Sequence, residues 1–226
     1  MNDLILKGQT TEHLIEIEKT HFLHRDVLDH YLTLKESAND FGLEIQLASS
    51  FRDFNRQVLI WNRKARGESP LLDSHSNPLP YDELSKEEIL YSILRWSAFP
   101  GASRHHWGTD FDIIDKRALL KDPNYHVQLI PSEYEKGGIF ERLGLFLEEH
   151  LESTPFYRPY EKDLGGVARE PWHLSFHAKA KEFQKQYDLP FFVDHLDALD
   201  SKEIMLLDLV KEKASDIYHR FIDNTY

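Results

Sequence analysis

The chain has 226 residues, 41% hydrophobic and 29% charged, with 39 acidic against 27 basic side chains and a formal net charge of −12. That length can bury a full core and that composition is ordinary for a soluble globular chain. The acidic excess argues against nucleic-acid binding and against docking on an anionic membrane, since both need clustered Lys and Arg. The absence of cysteine excludes disulfides and thiolate metal sites.

The first twenty residues spread Asp3, Lys7, Glu12, Glu16 and Glu18 among apolar ones. They show neither a basic stretch ahead of an apolar run of signal-peptide length nor a membrane span. Taken as written, the chain is expected in the cytoplasm, or in the periplasm if a processed leader preceded it. His21 to Asn39 has helical spacing, with Phe22, Val27, Leu28, Tyr31, Leu32 and Leu34 as its apolar stripe. Glu44 to Ala48 reads as a short strand and Asp53 to Arg66 as a helix. A Pro-rich loop follows from Pro70 to Asp82, and Ser85 with Glu88 forms a capping-box pattern that opens the next helix. Ile139 to Leu151, Ala178 to Tyr187 and Lys202 to Ile222 read as further helices, and Phe111 to Ile114 and Trp172 to Phe176 as strands. The mixture is α+β, a small sheet with helices packed on it.

Two short segments carry the chemistry. The first runs from Ser103 to Asp112 and the second from Glu170 to His177. Side chains alternate across a strand, so Asp110 and Asp112 would share one face above Phe111 and Ile113. In the second strand, His173, Ser175 and His177 would oppose Trp172, Leu174 and Phe176. A catalytic zinc site takes three His or carboxylate ligands and keeps a fourth position open, a set that His105, Asp112 and His173 can supply. Glu170, just before Pro171, would stand beside His173 as a base toward water. Gly108 would permit the turn that brings His105 over Asp112. Among 13 histidines a lone His carries little weight; two polar-faced strands, each with a His and a nearby carboxylate, carry more.

These residues resemble the zinc D-alanyl-D-alanine carboxypeptidases and dipeptidases of the lysostaphin/D-Ala-D-Ala/hedgehog fold group. Ser103, His105, Gly108 and Asp112 match one motif of that group, and Glu170, Trp172 and His173 match the other. Arg52, followed five residues later by Gln57 after a strand, matches a third segment. The resemblance implies a small antiparallel central sheet flanked by helices and one Zn2+ per chain on His105, Asp112 and His173. It implies Glu170 as general base and then acid, Arg52 as the grip on the substrate's terminal carboxylate, and Gln57, Ser103 and Trp172 toward the rest of the peptide. A single peptidase unit over 1–226 is expected, with an N-terminal helical segment at 1–40, a catalytic core at about 41–195 and a C-terminal helix at about 200–224.

The chain departs from the pattern at Asp110, where the family has Ala. Asp110 either orients a ligand His or lies at the rim. His106 is an alternative to His105 that the motif register disfavours. The stretch 66–100 is either a lid or a solvated insertion, and Tyr157, Tyr160 and His177 either reach the cleft or pack. The expected activity is removal of a terminal D-Ala from peptidoglycan-derived peptides. The alternatives are L,D-cleavage, an endolysin-type endopeptidase, and a non-catalytic zinc-bearing binding module. No nucleic-acid partner and no membrane insertion are expected.

Overall fold

The computed structural model describes residues 3–225; Met1, Asn2 and Tyr226, at the ends of the expected unit, lie outside them. Among the described residues there are six strands: β1 (Leu14–Glu18), β2 (His21–His24), β3 (Ile45–Ser49), β4 (Asp110–Asp115), β5 (Phe156–Tyr157) and β6 (His173–Phe176). They form a two-stranded hairpin, β1-β2, and a four-stranded sheet in the order β3-β4-β6-β5. Every pairing is antiparallel, in line with the expected α+β class.

The helices are α1 (Asp3–Leu6), α2 (Leu28–Asp40), α3 (Phe54–Ala65), α4 (Lys86–Trp96), α5 (Lys116–Lys121), α6 (Glu141–His150), α7 (His177–Gln184), α8 (Leu189–Asp197), α9 (Leu207–Glu212) and α10 (Ala214–Ile217). Two apolar clusters result. One face of the sheet packs Phe111, Ile113, Leu174 and Phe176 against Tyr31 and Leu34 of α2 and Leu143 and Phe146 of α6. A second cluster joins α3, α4, α7 and the C-terminal helices through Trp61, Leu90, Ile93, Phe192 and Val210. No described helix is long and apolar enough to cross a membrane.

The N-terminal 40 residues are not helical throughout, because Leu14–Glu18 and His21–His24 pair as a hairpin ahead of α2. The apolar spacing read from His21 onward begins in that hairpin's return strand, whose residues satisfy a helical and an alternating pattern alike. Thr20, at φ 72°, makes the reversal. The hairpin braces the loop that carries Arg52, since Phe51 N–H donates to the Phe22 carbonyl at 3.1 Å and Phe22 N–H donates to Ser50 Oγ at 3.2 Å.

The stretch 66–100 divides in two: 66–85 is largely exposed or half-buried, with Leu71 its one buried residue, whereas α4 belongs to the core. Ser85 and Glu88 close the capping box, and Ile89, Leu90, Ile93 and Leu94 of α4 are buried in the second cluster. The expected C-terminal helix is broken. Trp61 Nε1 and Asn62 Nδ2 donate to the carbonyls of Met205 and Glu203, at 2.8 and 2.7 Å, and Asn62 Oδ1 accepts from Met205 N–H at 2.9 Å. Those bonds hold the backbone as a loop, Leu206 turns at φ 62°, and regular helix begins only at Leu207.

Candidate active site

Asp112 lies directly opposite His173 across β4 and β6, and Asp110 opposite Ser175. The side chains that alternate away from the apolar cluster therefore converge on one face. His173 Nδ1 is 3.1 Å from Asp112 Oδ1 and 3.4 Å from Glu170 Oε2. Its other nitrogen, Nε2, faces Asp110 Oδ1 at 3.1 Å. Since a carboxylate only accepts, the ring proton belongs on Nε2, which leaves the Nδ1 lone pair aimed at the cluster.

His105 arrives from the short turn Arg104–Trp107, closed by Gly108 at φ 69°. A side chain on Gly108 would collide with Leu14 and with the His24 backbone, so the hairpin and the turn can pack only around glycine. His105 Nδ1 donates to the Ser50 carbonyl at 2.9 Å, leaving Nε2 3.4 Å from Asp112 Oδ2. Burial and the nearby Arg52 charge lower its pKa, favouring the neutral ring that a ligand needs. His106 points away and uses both nitrogens, donating to the Arg52 carbonyl at 2.6 Å and accepting the Gly101 N–H at 3.0 Å.

One donor atom from each of His105, Asp112 and His173 lies within 4.8 Å of the others. The His-to-Asp separations of 3.4 and 3.1 Å compare with the edge of about 3.3 Å of a tetrahedron whose arms are about 2.0 Å. Asp112 Oδ1 is buried with no hydrogen-bond partner, as suits an oxygen reserved for a cation. Burial alone would raise the Asp112 pKa, but His105 and His173 hold it well below the usual carboxylate range. The residues present therefore fit a zinc ion.

Asp110 is fully buried and lies beneath the cluster, not at the rim. It accepts from Arg104 Nε at 2.8 Å and from Thr109 Oγ1 at 2.6 Å. Arg104 Nη2 in turn donates to Tyr157 Oη and Ser175 Oγ, both at 2.9 Å, with its guanidinium 4.9 Å from the Trp107 ring. A charged pair at this depth is stable only when its remaining donors and acceptors are satisfied, and this network does most of that.

A cavity of about 230 Å³ opens over the three donors. Arg52, Ser103, Glu170 and Trp172 line it, as do Lys64, Trp96, Ser97, Ala98 and Tyr160. Gln57 does not line it, because its Nε2 donates to the Ala98 carbonyl at 2.7 Å from behind the wall. Burial pushes the Glu170 carboxyl up to about 7, with Asp112 adding to the rise and His173 opposing it. Arg52 Nε is buried without a partner. Among the described residues no carboxylate comes within 4.0 Å of the Arg52 guanidinium. Lys64 and Tyr160 lie outside the three sequence motifs, and Arg104 and Asp110 fall at unmatched positions within one of them. Asp110 carries a signal as an acid where the family has Ala, and Tyr160 is one of the aromatics expected either to reach the cleft or to pack; Lys64 and Arg104 carry none. The Tyr160 ring is 5.1 Å from that of His173, whereas His177 packs on Tyr157 at 5.4 Å and does not line the cavity.

Residues 20–179 match the profile of the VanY family, described as D-alanyl-D-alanine carboxypeptidase. An uncharacterized protein of Haemophilus influenzae is 40% identical over 98 residues, a match that covers 42% of this chain and 67% of the relative. The chain thus spans about two thirds of that relative's length. The vancomycin-resistance D,D-pentapeptidase VanY, solved with Zn(II), superposes with a TM-score of 0.53 at 19% identity, over 79% of this chain and 86% of its own. VanYB in complex with D-alanine-D-alanine gives a TM-score of 0.54 at 18% identity, over 83% and 89%. At such identities the two structures share its fold.

Proposed function

Since the chain belongs to the VanY family of D-alanyl-D-alanine carboxypeptidases, we propose that it hydrolyses the terminal D-Ala-D-Ala bond of peptidoglycan-derived peptides, with zinc held by His105, Asp112 and His173. The observation that carries this reading is the meeting, in one cavity, of the three-donor cluster, the buried Glu170 and an Arg52 without a carboxylate partner. The solved relatives carry Zn(II) in one case and D-alanine-D-alanine in another, which supports the same metal and substrate class here.

Held by His105 Nε2, Asp112 and His173 Nδ1, zinc would supply a Lewis acid for the scissile carbonyl and would acidify a water. Glu170 is placed to take a proton from the attacking water as its oxygen adds to the scissile carbonyl carbon. Burial raises this carboxyl's proton affinity, which favours its holding the proton between the two transfers. Glu170 then delivers the proton to the departing nitrogen, so the C–N bond breaks with release of a neutral amine. Arg52 binds the terminal carboxylate through its planar fork of donors, fixing which bond meets Glu170. Ser103 and Trp172 border the peptide on the cavity wall, and Gln57 acts indirectly by holding the Ala98 segment of the same wall. Asp110 positions His173 by accepting its Nε2 proton, and Arg104 holds Asp110 for that task.

The test is D-alanine release from D-Ala-D-Ala and from a muramyl pentapeptide, with zinc-loaded and chelator-stripped protein. Zinc-dependent release from either supports the reading, and their ratio separates dipeptidase from carboxypeptidase. Release only from a tetrapeptide ending in L-Lys-D-Ala would move the assignment to L,D-cleavage, and zinc binding without any release to a binding module.

A further inference from the structure

Arg52 is not the only cation in the cavity. Lys64 lines it too, with Nζ donating to Ser97 Oγ at 2.7 Å. No carboxylate of the described residues lies within 4.0 Å of this ammonium. Lys35, Lys116, Lys179 and Lys213 each pair with an acid at the surface. Lys64 instead sits beside a second cation. Burial, and then the Arg52 charge, push its ammonium down to about 8. Glu170 offsets part of the repulsion between the two cations but lies beyond 4.0 Å of either, so neither has a carboxylate in contact.

The two approach from different elements. Arg52 comes from the loop after β3, whereas Lys64 stands ten residues beyond the first residue of α3, about 15 Å farther along that helix. The uncharged residues Leu72, Trp96, Ser97 and Ala98 line the same cavity. A guanidinium satisfies one carboxylate by itself through two parallel donors, which leaves the ammonium for another.

We propose that Lys64 and Ser97 form a second anion subsite, which takes the side-chain carboxylate of an acidic C-terminal residue while Arg52 holds its α-carboxylate. The favoured leaving residue is then a dicarboxylic D-amino acid such as D-glutamate or D-aspartate, with D-alanine the smaller residue that fills half the clamp. This subsite rests on the carboxypeptidase reading for its place beside the scissile bond. Ser97 Oγ, held by the lysine, has its own hydrogen to give, so an entering carboxylate meets donors from both side chains.

Matched peptides ending in D-Ala-D-Ala, D-Ala-D-Glu and D-Ala-D-Asp are compared in wild type, Lys64→Met and Ser97→Ala. The readout is the ratio of kcat/KM for an acidic over an alanyl terminus. Wild type is expected to release the acidic residue at least as well as D-alanine, and Lys64→Met to lower the ratio by about tenfold or more, chiefly through KM. Ser97→Ala, which keeps the ammonium, is expected to lower it less. A ratio unchanged in Lys64→Met would overturn the subsite, because a lysine that only anchors Ser97, or shares one carboxylate with Arg52, affects both peptides alike. Poor turnover of acidic termini by wild type would also overturn it. Calorimetric titration with free D-glutamate and D-alanine separates the two hypotheses. D-glutamate binding that is tighter and weakens in Lys64→Met supports the subsite even if no peptide is cleaved, while cleavage of D-Ala-D-Ala with no such preference leaves only the carboxypeptidase reading standing.

Discussion

Asp110 Oδ1 is shared between two donors, Arg104 Nε at 2.8 Å and His173 Nε2 at 3.1 Å. The histidine's tautomer is thus set by an acid that is itself pinned from behind. Asp110→Asn presents an amide in its place and weakens the polarisation of the ring. Zinc affinity is expected to fall about 10- to 100-fold, read by competition with a chromogenic chelator, with the fold retained by circular dichroism. Arg104→Met is expected to fall in the same direction, since it leaves Asp110 buried without its main counter-charge. Unaltered zinc affinity in Asp110→Asn would show that the contact does not tune the ligand.

Glu170→Gln removes the proton carrier while keeping nearly the same volume. Turnover is expected to drop by about 10³-fold or more, with zinc stoichiometry still one per chain. Loss of the metal together with activity would mean that Glu170 is a ligand.

The depth of Arg52 makes its substitution informative. Arg52→Ala is expected to reduce kcat/KM for a free-carboxylate substrate by about 30-fold or more, the range of a buried charge pair that loses one partner. For the same peptide with an amidated C-terminus, wild type and variant are expected to differ little. Equal losses on both peptides would point to a structural role.

Acid lability traces to histidines that are buried neutral. His195, 2% exposed, donates from Nε2 to the Pro100 carbonyl at 2.9 Å, and burial pushes it down to about 4. His13, at 7% exposure, is likewise pushed down to about 4 by burial and by His24. Each binds its proton less tightly folded than unfolded. Their contribution is therefore complete above about pH 6.5 and drains away as pH falls toward 4, by up to about 3 kcal/mol apiece. His195→Gln keeps a donor for Pro100 without the titration, so its unfolding midpoint is expected to drop less than wild type's between pH 7 and pH 5. Parallel pH slopes for the two proteins would exclude His195 as a source.

Much of this site is legible in the sequence because strand alternation is a local rule. Asp110 shares a face with Asp112, and His173 with Ser175, whatever the rest of the chain does, and the motif spacing points to the turn at Gly108; the pairing of β4 with β6 then brings the two faces together. What alternation does not reveal is partnership across distance. The role of Asp110 stays open until Arg104 is seen to fold back on it. The family resemblance implies Gln57 as a substrate contact, yet the turn of α3 directs it to the Ala98 carbonyl. Lys64 lies outside any motif and reaches the cavity only because α3 runs along it. The hairpin before α2 is hidden for another reason, since residues around His21 suit helical and alternating patterns together.

One consequence of α4 concerns how this enzyme's selectivity can change. Trp96, Ser97 and Ala98 form the cavity wall where a helix ends whose inner residues, Ile89, Leu90, Ile93 and Leu94, are part of the apolar cluster. The wall is thus cast in one piece with the interior, unlike a loop that drifts freely among homologues. Resizing the space for the terminal residue means repacking the interior as well, where each methylene gained or lost costs about 1 kcal/mol. Variants selected for a bulkier leaving residue should therefore arrive with lowered melting temperatures, and their restoring second substitutions should map to α4 and its neighbours and not to the chemistry.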